Sequence, residues 1–449
     1  MKQQLLSLLL LACSGFAMLM SGCVRDQCER SITYMTYEPV YMSYDEMRAS
    51  VRSESPRELK VPGKIYFYNF YIFISEINEG IHVIDNQDPS NPQNIAFIRI
   101  PGNHDLAVKG NVLYVDSYID LVAINIEDLL NVKEIYRREE VFPYYANYNG
   151  FVADKEEGVI QSWELVEKTE VLDCVSQNRQ IQFAWGCPNC EGGPTPFGAR
   201  VDATLSNVAA TAFTTTNGLP QSGAELPVGV GGSLARFTIY TDFLYAVTDR
   251  ELLVFDITDV THPLTSSRIN IGWQIETIYP MTDKLFIGSQ AGMFIYDLAN
   301  PRSPSFLSEF QHVRSCDPVV VDGELKYAYV TLRSGNLCPG DNNTLNVIDI
   351  SELTRPNLVQ TYPMFNPFGL GIRDQTLFIC DGSAGLKVFD VSDVFKITSN
   401  QLAQFDDINA LDVIPLNNLL LLIGEDGFYQ YDYSDLKDIR LLSQIPIGN

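Results

Sequence analysis

An apolar phrase built around one polar marker recurs eight times in this chain: Asp85 in GIHVIDN, Asn125 in DLVAINI, Glu164 in VIQSWEL, Asp256 in LLVFDIT, Asp297 in MFIYDLA, Asp349 in LNVIDIS, Asp390 in LKVFDVS and Asp432 in FYQYDYS. The steps between markers are 40, 39, 92, 41, 52, 41 and 42 residues. A period near 41 is the size of a four-stranded propeller blade. Helical repeats can have similar lengths, but these units are rich in Val, Ile, Phe and Tyr with glycine punctuation, which favours strands.

Each unit has the same internal order. A short apolar strand (LAVKG, LGIRD) precedes a second strand (VLYVDS at 112–117, TLFICD at 376–381), a turn, the marker strand, and a more polar outer strand such as QNIAFIRI at 93–100. One such sheet is marginal alone, so neighbouring units must bury one another's faces. The expected fold is all-β, a propeller of eight four-stranded blades at 65–100, 104–138, 144–173, 235–270, 275–310, 316–361, 368–405 and 409–446, with seven blades as the alternative. The third unit has the vaguest first strand, near YYANYNG. The long step of 92 is read as that unit plus an insertion at 174–234 containing CPNCEGGPTPFG and VGVGGS, and the step of 52 as an extended loop at 333–344. The propeller then occupies 61–449 and a tether occupies 23–60. Within the tether, SITYMTYEP at 31–39 is expected to pair outside the last blade. Ser43 followed by Glu46 predicts a capped short helix.

The exit from each marker strand also repeats. Seven positions on stands Pro92, Pro263, Pro304 or Pro356, and three positions on stands Asp88, Asp128, Asp259, Glu352, Asp393 or Asp435. A row of acids suggests metal sites, but the same role in successive units favours carboxylates that accept main-chain amides in local turns. No metal site is assigned.

Residues 1–22 read as an export signal: Lys2, an apolar run from Leu5, then Met20-Ser21-Gly22-Cys23, which resembles a lipobox. Lipid on Cys23 would anchor the chain to the bacterial outer membrane or cell surface without a spanning segment. The net charge of −25 argues against a nucleic-acid partner, because phosphate binding needs basic surface. Nine cysteines in an exported chain permit disulfides. Cys316 with Cys338 is the preferred pair, flanking one hairpin, while Cys380 in LFICD reads as a buried residue. Cys187 and Cys190 have two-residue spacing but lack the partner ligands of a zinc site.

LLVFDI, LNVIDI and LKVFDV resemble the LVIVD repeat of exported bacterial propeller proteins. SCDPVVVDGELKYAYVTLRSG, LGIRDQTLFICDGSAGLKVFD and DVIPLNNLLLLIGEDG are similar to segments of lipid-anchored members common in Bacteroidetes. The resemblance covers most of 61–445 and implies a propeller, but it brings no established catalytic set. IHVID, LVAIN and IQSWE of the first three units depart from the four-letter core.

No catalytic motif emerges. GVGGS near Ser233 lacks a phosphate-loop lysine and nucleophile-elbow spacing, so Ser233 reads as a loop residue. His104, Asp105, Arg236, Glu276, Asp317 and Asp412 occupy comparable starts of inner strands, where a polar ring could take a small ligand or cation. Trp163, Trp273, Phe365 and Phe368 are candidates for surface recognition of a protein or glycan. No cofactor is expected, with a cation such as calcium left open. The leading functional reading is a lipid-anchored envelope binding or scaffold module. The alternatives are an envelope hydrolase or lyase acting on a polysaccharide or cell-wall fragment, and a structural subunit of an outer-membrane assembly.

Overall fold

A computed structural model describes residues 29–144, 147–148, 151–173, 228–272, 274–312, 318–324, 326–334 and 342–448. The described chain divides into two compact units. The smaller comprises the described parts of Met1–Val40 and Ser162–Ala199, where the strands Glu29–Met42 and Val159–Asp173 pair as a two-stranded ribbon. Thr33 and Thr169 share a hydroxyl contact of 2.9 Å, Tyr34 donates to Glu170 at 2.8 Å, and Lys168 pairs with Glu38 at 2.9 Å. All these partners are exposed, so they fix pairing more than they add stability.

The larger unit is a seven-bladed propeller. Its inner strands are Pro62–Tyr68, Leu106–Lys109, Phe237–Tyr240, Ile275–Met281, Val319–Val321, Leu370–Arg373 and Ala410–Pro415, and each begins an antiparallel sheet of sequential strands. The first blade also gains Val230–Gly231 on its inner edge and Arg52–Glu54 on its outer edge. The eight-bladed expectation is therefore wrong at the unit 144–173. That stretch supplies a hairpin of Asn147–Tyr148 with Phe151–Val152, then one long strand paired with Glu29–Met42. The physical reason is burial. Val159 is buried, but Glu164, Leu165 and residues 167–171 are exposed, and a blade must bury both sheet faces.

The second and third blades pack directly together despite the long sequence between them. Tyr114 donates to the Val260 carbonyl at 2.6 Å and Arg268 to the Val141 carbonyl at 2.7 Å. Tyr245 makes the equivalent bond to Pro301 at 2.7 Å, from the third blade to the fourth. The second-strand tyrosine is thus a repeated hook between blades, apolar in body and bonded at its tip.

The repeat signal has two structural meanings. The apolar phrases alternate between the two faces of each sheet, so both faces are buried: Leu253 and Phe255 pack towards the second blade, Leu252 and Val254 towards the fourth. The marker is an Asx turn. Asp85, Asn125, Asp256, Asp297, Asp349, Asp390 and Asp432 each accept the amide two residues on, and Asp88, Asp128, Asp259, Asp393 and Asp435 repeat the bond.

The segment 31–39 does not close the ring beside the last blade, as expected, because it pairs in the ribbon. Closure comes from face packing. Pro62–Tyr68 touches Ala410–Pro415 and Leu419–Gly424, burying Ile65, Ile72 and Ile74 against Leu411, Ile414 and Leu421. A parallel bridge joins Leu59 to Ile447. Ser43 caps the helix Tyr44–Arg48 by accepting the Glu46 amide at 3.3 Å. No described helix is long and apolar enough to cross a membrane.

Candidate functional site

The axis of the ring is filled by the chain itself. Val228 bridges Lys109, and the Gly229 amide donates to the Val108 carbonyl at 3.2 Å. Val230 and Gly231 then pair with Phe67 and Tyr66 of the first blade. Ser233 lies against the seventh and sixth blades, bonding Asp412 and receiving the Leu370 amide on its hydroxyl at 2.7 Å. The Ala235 carbonyl accepts the Ile278 amide of the fourth blade at 2.9 Å. Residues 228–235 therefore run through the middle as an axial plug touching five further blades or their edges before the third blade begins.

Glycines permit this approach. A Cβ on Gly232 would stand 2.0 Å from one Asp412 carboxylate oxygen, and one on Gly369 would stand 2.2 Å from the other. The motif VGVGGS thus reads as a steric requirement for threading a crowded axis.

Two carboxylates predicted to face a ligand hold this plug. Asp412 is 1% exposed, and its Oδ1 accepts the Ser233 amide at 3.0 Å, the Ser233 hydroxyl at 2.9 Å and the Val413 amide at 2.9 Å. Burial pushes its carboxyl up to about 7 against the pull of these donors. Asp105 accepts the Arg236 amide at 2.5 Å and the Leu106 amide at 2.7 Å, and pairs with Lys64 at 3.3 Å. Burial raises the Asp105 carboxyl, opposed chiefly by Lys64, and drives Lys64 down to about 8.

The remaining predicted residues divide. His104 is exposed at the start of the second blade. Desolvation, then the charges of Lys64 and Arg236, push its imidazole down to about 4, so it is neutral at pH 7. Glu276 is buried and accepts Gln290 at 2.8 Å. Phe368 lies under the Arg333 guanidinium at 4.0 Å, while Phe365 is 61% exposed on the neighbouring loop. Trp163 is half-buried on the ribbon strand Val159–Asp173, in the smaller unit. Asp317, Trp273, Cys23, Cys316 and Cys338 lie outside the described residues.

Sequence reasoning passed over Lys64, Asp116 and Arg333, and read ICDG at 379–382, which holds Asp381, as a strand end. Asp116 accepts the amides of His104 and Asp105 at 2.8 and 2.9 Å, and Asp381 accepts those of Phe365 and Asn366 at 3.0 and 2.8 Å. Glu76 does the same for Lys60 and Val61 at 3.1 and 2.6 Å. All three acids stand nine residues before their marker, a spacing that could have revealed them as clamps on the loops entering the first, second and sixth blades. Among the described residues no group of three or more acidic, His or Cys side chains is placed to hold a metal.

A closed ring of seven blades, six of four strands and the first extended to six, around a filled axis defines a β-propeller. Its third and fifth blades carry the LVIVD repeat, whose family model matches residues 231–270 and 315–363. No curated protein matches the sequence significantly. Similar solved structures include the computationally designed protein Ika8, at 9% identity and a TM-score of 0.48 over 87% of this chain and 88% of that one. A functionally unknown protein from Desulfotomaculum acetoxidans DSM 771 aligns at 11% identity and 0.43, covering 85% and 95%. PorZ, a surface component of the type-IX secretion system of Porphyromonas gingivalis, aligns at 11% identity and 0.46, covering 88% of this chain but 40% of its own length.

Proposed function

We propose that this protein is an exported binding or scaffold module of the bacterial cell envelope, anchored by lipid on Cys23, that presents its propeller loops to a protein or glycan partner. The observation that carries this reading is the axial plug. A chain that fills its own axis with 228–235 leaves the loop ends of its blades as the surfaces available for recognition. The lipobox-like Met20-Ser21-Gly22-Cys23 supports the anchor. The hydrolase or lyase alternative would draw on Asp105 and Asp412, and both are occupied by main-chain amides.

The test is affinity capture from solubilised envelopes with the mature chain, beside a chain whose residues 174–227 are replaced by a Gly-Ser linker, leaving the plug in place. The reading expects at least one partner retained by the full chain, and its loss in the variant would place the contact on the insertion. Identical recovery from both would remove the insertion from the proposal, and no specific partner with either would remove the module reading. Separately, Cys23→Ser should release the protein from the membrane fraction.

A further inference from the structure

Two guanidiniums at the mouth of the axis have no hydrogen-bond acceptor among the described residues. Arg333, which follows the second strand of the fifth blade, is 6% exposed and stacks on Phe368 at 4.0 Å. Arg236 opens the third blade; its Nε is buried and has no hydrogen-bond partner. The acids around them are committed elsewhere. Asp105 takes two main-chain amides and Lys64, Asp116 takes the amides of His104 and Asp105, and Asp412 takes the plug. Glu276 on the intervening blade pulls electrostatically on Arg333 and accepts Gln290.

A buried guanidinium with unspent donors is costly. Its fixed fork of N–H groups matches a carboxylate or phosphate, which would satisfy the donors and balance the charge together. Lys64, paired with Asp105 at 3.3 Å, adds a third cation, and its charge and that of Arg236 both act on the exposed, neutral His104. Burial raises the Asp105, Asp116 and Asp412 carboxyls, and each is already engaged by main-chain amides rather than turned on the two guanidiniums.

We infer that the mouth above the plug is an oxyanion site, in which Arg236 and Arg333 donate to a carboxylate or phosphate group and Lys64 supplies further positive charge. This goes beyond the envelope-partner reading and does not depend on it, since a protein docked on the outer loops would leave the mouth unaffected.

Calorimetric titration of the intact mature protein decides the matter, with inorganic phosphate, D-glucuronate and neutral D-glucose as probes at constant ionic strength. Saturable binding of phosphate or glucuronate, but not glucose, is expected, and the stronger of the two identifies the source as a phosphorylated or a sugar-acid ligand. Arg236→Gln and Arg333→Gln should each weaken it at least tenfold, and Arg333→Lys should recover only part of the loss. Should one Gln variant fail to fold, the other, with the rise in wild-type Tm on adding the anion, gives the same reading. No saturable binding of either anion, or binding unchanged in both Gln variants, overturns the site.

Discussion

Asn86 and Gln430 lie 344 residues apart in sequence and exchange two side-chain hydrogen bonds of 2.8 Å each, amide to amide, across the junction of the first and last blades. Both are essentially buried, at 3% and 0% exposure. Gln430 also donates to the Pro89 carbonyl at 3.2 Å. Alongside the Leu59–Ile447 bridge and the Ser443 hydroxyl bond to the Pro89 carbonyl at 2.7 Å, the pair is a buried side-chain lock on a closure made mainly by apolar faces. Either single alanine substitution strands a buried amide, at about 1–3 kcal/mol. The double variant should cost less than the sum, with a coupling of about 0.5–3 kcal/mol in a denaturation cycle. Strict additivity would show that the lock contributes nothing as a pair.

The plug makes a second prediction. Gly369→Ala would force a methyl group to within 2.2 Å of the Asp412 carboxylate and 2.8 Å of the Ser233 hydroxyl, two side chains locked together by their own hydrogen bond. Overpacking of this kind costs about 1–3 kcal/mol. Gly323 has nothing within 4 Å of the same added atom, so Gly323→Ala is the matched control and should leave the thermal midpoint unchanged. Equal midpoints for the two variants would mean that the axis is looser than described.

Much of the blade architecture was legible because it repeats. A marker that returns every 41 residues or so averages out local ambiguity, and the Asx turns and alternating strands followed from it. The count failed where one copy imitated the pattern. FVADKEEGVIQSWEL has the turn and the marker but too few apolar residues to bury two faces, and only Val159 among its strand residues is fully buried. The plug was illegible for a different reason. VGVGGS carries no periodicity, and its meaning lies in contacts with Tyr66, Asp412 and Leu370, which sequence spacing does not bring together. Position at the inner-strand starts did not show that Asp105 and Asp412 face main-chain amides while the Arg236 Nε finds no acceptor among the described residues.

The helix Tyr44–Arg48 is tied to the second blade by charge. Asp120 is fully buried, receives Arg48 at 2.9 Å and Arg137 at 3.2 Å, and accepts the Glu140 amide at 3.0 Å. Asp120→Ala removes the buried partner of Arg137, which keeps Glu134 at 2.7 Å, and strands the Glu140 amide, a loss of about 1–3 kcal/mol. Arg48 is 24% exposed and can be resolvated, so Arg48→Ala should cost less. Urea titration of the two variants would check the order, and a larger effect at Arg48 would refute this account of the anchor.

Asp412 sets a pH dependence whose sign is unusual for a carboxylate. Its folded value of about 7 lies above the ordinary 3.8, so the folded state holds the proton more tightly than the unfolded chain. Below about 4 both states are protonated and the contribution is complete. As pH rises from about 4 to about 7 the unfolded chain ionises freely while the folded one resists, and stability falls, by up to about 4 kcal/mol if the whole shift is expressed. Above about 7 both states are ionised and the loss levels off. Asp412→Asn keeps an oxygen where Oδ1 accepts three donors and cannot titrate, so it should abolish this component. Asp105 and Asp116 shift in the same direction, which makes the difference between wild type and variant the proper readout. Urea midpoints measured in pairs from pH 4 to 8 should show the wild type losing ground to Asp412→Asn up to about pH 7 and then running parallel; parallel curves throughout would mean that Asp412 is already ionised in the folded plug.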